Sequence, residues 1–187
     1  MEKDGIFGLV LPFGDASPQI APGVFIAPGA VVVGDVTLGE GVSVWYNSVI
    51  RGDEHPVIIG ARTNIQDLCM CHQTGWVGPL TVGEDCVIGH RVVLHGCTVG
   101  NRCLIGMGSV ILDRAEIGDE CIVAAGAVVP EGMIVPPRTL VAGVPAKVRK
   151  QLDEAGVSNF ATFASHYVGR AREHAEVNRT AVNREKR

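Results

Sequence analysis

The stretch Val99-Gly100-Asn101-Arg102-Cys103-Leu104-Ile105-Gly106-Met107-Gly108-Ser109-Val110-Ile111 decides the fold. A branched aliphatic residue recurs at every sixth position (Val99, Ile105, Ile111), Gly follows the first two, and a small residue (Cys103, Ser109) stands four after each. The same spacing continues downstream through Ile117, Val123 and Val129. Upstream it covers Val82, Ile88 and Leu94, then Ile59, Ile65 and Cys71, then Ile26, Val32, Leu38, Val44 and Ile50. Ala30, Thr63, Cys86, Cys121 and Ala127 repeat the small position. This is the hexapeptide pattern of a parallel β-helix. Each unit is a short strand and a corner, three units close one triangular turn, and the branched residue points inward onto its equivalents in neighbouring turns.

The composition agrees with such a core. With 24 Gly, 5% aromatics and 47% hydrophobic residues, the interior is built from small and branched side chains. A chain of 187 residues supports one sizeable core, so one domain with an appendage is expected. The formal net charge of −4 gives no electrostatic reason for a nucleic-acid or anionic-membrane partner. Residues 1–20 lack a basic start followed by a long apolar run, and no 18-residue apolar stretch is present, so a soluble cytoplasmic protein is expected. Cys69, Cys86, Cys103 and Cys121 occupy the small position, Cys71 occupies an inward one, and no C-x-x-C pair occurs. The six thiols read as reduced, buried small hydrophobes.

The repeat runs out at Pro136-Pro137 and Gly143-Val144-Pro145-Ala146-Lys147. We place the β-helix domain at 1–148, with a lead-in over about 1–19, and a C-terminal helix and tail at 149–187. Ser158 or Asn159 caps a helix whose stripe is Phe160, Phe163, Ala164, Tyr167, Val168 and Ala171, packed along the outside of the solenoid. Asn178 to Arg187 reads as a solvated tail.

The period also serves as a ruler. Interruptions separate Ile50 from Ile59, Cys71 from Val82 and Leu94 from Val99, and the extra residues, Gln73 to Pro79 among them, are corner loops. Ile50, Cys71 and Leu94 then fall in one stacked column, and the residues after them, Arg51, His72 and His95, face outward on successive turns. Stacked strands lie about 4.8 Å apart, within reach of one metal ion about 2.0–2.1 Å from each imidazole nitrogen. His90 follows Ile88 by two and belongs to another column. The five residues to His95 span up to about 16 Å when extended, so a second subunit is the better source of a third ligand. A three-sided prism presenting one face to its neighbour points to a threefold ring. The expectation is a homotrimer with metal between chains, bound by His72 and His95 of one and His90 of the next.

Arg51-Gly52-Asp53, Asn64-Ile65-Gln66-Asp67, His72, Ile88-Gly89-His90, Leu94-His95-Gly96-Cys97, Ile105-Gly106-Met107-Gly108 and Gly143-Val144-Pro145-Ala146-Lys147 together resemble the γ-class carbonic anhydrase family, over residues of about 10 to 170. The resemblance implies an all-β solenoid, a left-handed parallel β-helix of hexapeptide repeats with a C-terminal α-helix packed alongside. The left hand is an exception to the crossover rule. It implies a homotrimer and Zn2+, with Fe2+ or Co2+ as alternatives, on His72, His90 and His95. It implies that Gln66 orients the water on the ion, that Asn64 holds Gln66, and that Arg51 pairs with Asp53 or Asp67 across the subunit boundary. Tyr167 matches a position where some relatives place a polar side chain near the metal. His55, His166 and His174 are left as surface residues.

Three neutral ligands leave the ion's charge largely intact, and in the well-studied zinc site of three histidines the pKa of bound water falls to about 7. Hydroxide so formed attacks carbon dioxide to give bicarbonate, and a proton must then leave. The best-known active members carry an acidic loop between the first two metal histidines. Here Gln73-Thr74-Gly75-Trp76-Val77-Gly78-Pro79 has no carboxylate, and Glu54 is the substitute. Two other readings stand beside the hydratase: an acyl-CoA thioesterase or acyltransferase on the same solenoid, and a non-catalytic metal-binding trimeric subunit.

Overall fold

Stacking of the inward residues builds the molecule. Three parallel columns run its length: Val32, Ile50, Cys71, Leu94, Ile111 and Val129 on one face; Ile26, Val44, Ile65, Ile88, Ile105, Val123 and Val141 on the second; and Leu38, Ile59, Val82, Val99, Ile117 and Val135 on the third. None of these side chains is more than 2% exposed. The computed structural model, which describes residues 5–158 and 160–185, is a left-handed parallel β-helix of about seven turns with a helix along one side. The strands are mostly two or three residues long, as a unit of six with a corner requires.

The corners explain how so short a unit turns. Nine non-glycine residues among those described take positive φ: Asn47, Arg62, Leu68, Asp85, Arg91, Arg102, Arg114, Glu120 and Arg138. A left-handed residue costs about 1–2 kcal/mol for an ordinary side chain, and here the conformation turns its N–H along the solenoid axis. Leu68 thereby donates to the Tyr46 carbonyl, Arg91 to Asp67, Arg114 to Gly96 and Arg138 to Asp119, at 2.7–3.1 Å. Arg62, Asp85, Arg102 and Glu120 donate in the same way, so eight of the nine corners are hydrogen-bonded to the turn before.

The small positions are filled by Thr63, Cys86, Cys103, Cys121 and Thr139 on one edge, all buried. Their side-chain hydroxyls and thiols donate to backbone carbonyls: Thr63 Oγ1 to Gly83 at 2.7 Å, Cys86 Sγ to Gly100 at 3.0 Å, Cys103 Sγ to Gly118 and Cys121 Sγ to Pro136 at 3.1 Å. The cysteines are thus packing groups. Burial pushes the Cys69 and Cys97 thiols up to about 12.

Sheet pairing is found at both ends of the solenoid, inside the lead-in and past residue 148. Leu9–Leu11 pairs with Val31–Val33, so the lead-in adds a strand. Lys147–Gln151 folds back antiparallel on Thr139–Ala142, so sheet pairing passes residue 148. After a short helical turn over Glu154–Val157, the main helix spans Phe160–Glu185. Ser158 caps the short turn, and Asn159 lies outside the described residues. Of the stripe, Phe160, Ala164 and Ala171 are buried, Tyr167 and Val168 half-buried, and Phe163 is 45% exposed. The segment from Asn178 is helix to Glu185 rather than a loose tail. Its polar sequence reflects one more solvated helical face, with Asn178 Nδ2 donating to the Tyr46 hydroxyl at 3.3 Å. No described helix is long and apolar enough to cross a membrane.

Two outcomes follow from this packing. Ile105→Ala, at a fully buried position, is expected to cost about 2–5 kcal/mol in denaturant unfolding, whereas Ile134→Ala, at a 69% exposed position, stays within about 0.5 kcal/mol. The Glu120 carboxylate accepts from Arg138 at 2.6 Å and Arg102 at 3.1 Å. The Arg138 hydrogen bond, with Arg102 assisting against burial, holds it below its ordinary value of 4.5. Its stabilising contribution is therefore complete above that value and lost as pH falls through the lower folded one. Glu120→Gln should flatten the acid limb of a stability–pH profile below 4.5; an unchanged limb would contradict the assignment.

Candidate metal centre

The register that stacks Cys71 on Leu94 also sets His72 opposite His95 on adjacent strands, Met70–His72 and Val93–His95. The rings meet nearly edge to face, with centroids 5.3 Å apart. His72 Nδ1 and His95 Nε2 face each other at 3.3 Å. The other nitrogen of each ring is engaged: His72 Nε2 lies 3.1 Å from Asp53 Oδ1, and His95 Nδ1 lies 2.6 Å from Asp113 Oδ1. A neutral ring so placed would carry its proton on that nitrogen and donate it to the carboxylate. The two facing nitrogens would then both present lone pairs, an arrangement suited to a cation between them. Two ligands at 2.0–2.1 Å from a tetrahedral ion are about 3.3–3.4 Å apart, which matches the separation. Burial, then the nearby Arg51 charge, pushes His72 below its ordinary pKa and favours the neutral ring.

Within the chain Arg51 and Asp53 form an ion pair, both lying on the long strand Val49–Ile59 with one residue between them. Burial raises Asp53, but the Arg51 hydrogen bond, its own backbone amide and His72 together hold it below the ordinary carboxylate range. Asp53 is thus shared between Arg51 and His72.

His90 sits on the neighbouring corner, apart from this pair. Among the described residues, no three His, Cys, Asp or Glu of one chain are placed to hold one ion. His90 Nδ1 is 2.8 Å from Asp67 Oδ2, and its side chain is 47% exposed. Within the chain Asp67 pairs with His90. Exposed Leu68 and Met107, at 55% and 57%, flank it in sequence and in the stack. Each of the three histidines therefore has a carboxylate on one nitrogen: Asp53, Asp67 and Asp113.

Gln66 is 4% exposed and Asn64 fully buried. Gln66 Nε2 donates to Asn64 Oδ1 at 3.3 Å, and Asn64 Nδ2 donates to the Cys86 carbonyl at 3.2 Å. The Gln66 amide is thereby fixed with its nitrogen toward Asn64. Tyr167 packs edge-on against Trp45, ring centroids 6.1 Å apart, in the cluster where the helix meets the solenoid. His174 is not a surface residue. Its Nδ1 is 2.9 Å from the Tyr46 hydroxyl and its ring lies 4.9 Å from Trp45, because the helix continues far enough to lay it on that cluster. His166 is exposed. His55 Nε2 bonds to the Gly75 carbonyl and Gln73 Nε2 donates to the His55 carbonyl, tying the loop Gln73 to Pro79 onto the long strand. Glu54 is exposed, with its carboxylate packed against Gly75.

Asp113 is the member of this set that the sequence alone did not reveal. The available signal was register: it lies 18 residues, one turn, after His95.

Comparison with known proteins agrees with this architecture. The model of the bacterial transferase hexapeptide (six repeats) family matches residues 17–52, 79–112 and 96–131. Protein YrdA of Escherichia coli is 48% identical over 163 residues, covering 84% of this chain and 89% of that one. The carbonic anhydrase of Geobacillus kaustophilus is 44% identical over 160 residues, covering 86% and 87%. The chain belongs to the γ-class carbonic anhydrase family. A solved Bacillus cereus structure described as an acetyltransferase superposes with a TM-score of 0.88 at 40% identity, over 92% of this γ-class chain and 99% of that one.

Proposed function

We propose that this γ-class chain is a metal-dependent carbonic anhydrase that reversibly hydrates carbon dioxide to bicarbonate at sites shared between the copies of a homotrimer. One observation carries the reading: His72 Nδ1 and His95 Nε2 face each other at 3.3 Å, with a carboxylate on the other nitrogen of each ring. His72 and His95 of one chain and His90 of a neighbouring copy would hold the ion, Zn2+ or alternatively Fe2+ or Co2+. When bound, such an ion supplies Lewis acidity that makes a water molecule nucleophilic near neutral pH.

The chain's own groups supply the rest. Asp53 and Asp67 fix which nitrogen of His72 and of His90 is presented and strengthen it as a ligand. Gln66, held by Asn64 through its amide nitrogen, offers its carbonyl oxygen to accept a hydrogen bond from the reacting water and so aim its lone pair. Arg51 keeps Asp53 ionised, so that Asp53 accepts from His72 rather than competing for a proton. The proton released on hydration has no carboxylate in the loop Gln73 to Pro79 to receive it. Glu54, packed on Gly75 of that loop and open to solvent, is the group we assign to carry it out. Tyr167, against Trp45, supports the helix rather than the reaction.

Stopped-flow carbon dioxide hydration with zinc-loaded and anaerobically iron-loaded protein tests the proposal, beside an acyl-CoA hydrolysis assay prompted by the acetyltransferase description of the Bacillus cereus protein. The proposal expects hydration above buffer, reduced at least about 100-fold in His72→Ala and His95→Ala. Thioester turnover without hydration in any metal form would overturn it. Glu54→Gln is expected to slow hydration in weak buffer by about 10-fold or more and to be rescued by added imidazole. A variant as fast as wild type in weak buffer would remove Glu54 from the proton path.

A further inference from the structure

Asp113 stands in a turn where an acidic residue would ordinarily serve its own backbone. Its side chain does something else. Oδ1 accepts from His95 Nδ1 at 2.6 Å, and Oδ2 is 3.5 Å from Thr74 Oγ1 in the loop beside His72. Both partners belong to earlier turns. The strand pairing sets Leu94 opposite Ile111, so His95 lies opposite Leu112, and Asp113 has to lean back toward it across Gly96. Gly96 permits this: it has φ of 51°, and a Cβ there would overlap Asp113 Oδ1 and press on Val77. The Asp113 backbone is separately anchored, its carbonyl accepting from Gly132 N at 2.9 Å, while the next residue, Arg114, donates to the Gly96 carbonyl at 2.7 Å. The carboxylate is therefore spare for His95, and it is only 23% exposed, so water competes weakly for it.

We infer that Asp113 is a positioning residue that holds His95 as the Nδ1–H tautomer, with its Nε2 lone pair directed at His72 Nδ1, and that Gly96 is glycine to make room for it. The inference rests on the metal reading of the histidine pair. Without Asp113 the His95 ring is free to rotate or to carry its proton on Nε2, which would face His72 with a hydrogen in place of a lone pair.

The test is metal affinity, independent of turnover: zinc competition against a chromophoric chelator and the visible spectrum of the Co2+-loaded protein, for wild type, Asp113→Ala and Asp113→Asn. Removing such a carboxylate weakens metal binding by about 10–100-fold, and Asp113→Ala should fall in that range. Asp113→Asn still offers an oxygen to Nδ1–H and should recover part of the loss, with the thermal midpoint of the metal-free protein unchanged. Asp113→Ala binding zinc as tightly as wild type overturns the inference and leaves the proposed function standing. So do equal losses in Ala and Asn. If Asp113→Ala does not fold, Asp113→Asn decides: weaker binding with an altered Co2+ spectrum supports the role, and wild-type behaviour in both overturns it. A wild-type chain that takes up no metal overturns the inference and the proposed function together.

Discussion

The axial hydrogen bond made at eight of the nine left-handed corners is the constraint on which everything else in this chain depends. Residues such as Leu68, Arg91 and Arg114 accept a left-handed backbone so that their N–H groups can reach the carbonyl of the turn before. The bond fixes how far one turn is displaced from the next, and the inward columns fix its rotation. A one-residue slip would send every inward branched residue to the surface. Register is therefore strongly determined, and chemistry placed on one turn can rely on chemistry placed on another.

The histidine pair draws on that certainty. His72 and His95 are 23 residues apart and share no local element, yet pairing of Cys71 with Leu94 sets their rings edge to face. The insertion Gln73 to Pro79 is absorbed as a loop without disturbing the column, and it folds onto His55 and Glu54 at the same end of the site. The third histidine belongs to a corner rather than a face, exposed and bordered by Leu68 and Met107. A site divided in this way would couple reaction to assembly, since exposed Leu68, Met107 and the third donor would then share one contact surface.

The sequence disclosed those parts that follow the period. The columns through Ile50, Cys71 and Leu94, the outward turn of His72 and His95, the separateness of His90 and the Asn64–Gln66 contact all come from counting in sixes or from motif resemblance. What stayed hidden depends on the third dimension. Asp113 looks like any turn residue until its one-turn offset from His95 is combined with the missing side chain at Gly96. Arg51 and Asp53 also pair within their own strand, because alternate residues on a strand share a side. His174 and the last helical turns were obscured by polar composition. A helix lying on a solenoid needs only a narrow apolar stripe, and His174 joins that stripe through Tyr46 and Trp45 rather than through hydrophobicity.

The central claim is that one chain supplies His72 and His95 while another supplies His90. Mixing two defective chains tests it directly. Co-assembled His72→Ala and His90→Ala chains, each unable to bind metal tightly alone, should regain zinc at about a quarter of the sites of a randomly mixed threefold ring, with hydration activity recovering in proportion. Mixed trimers that bind no more metal than either parent would contradict the division of the site between chains.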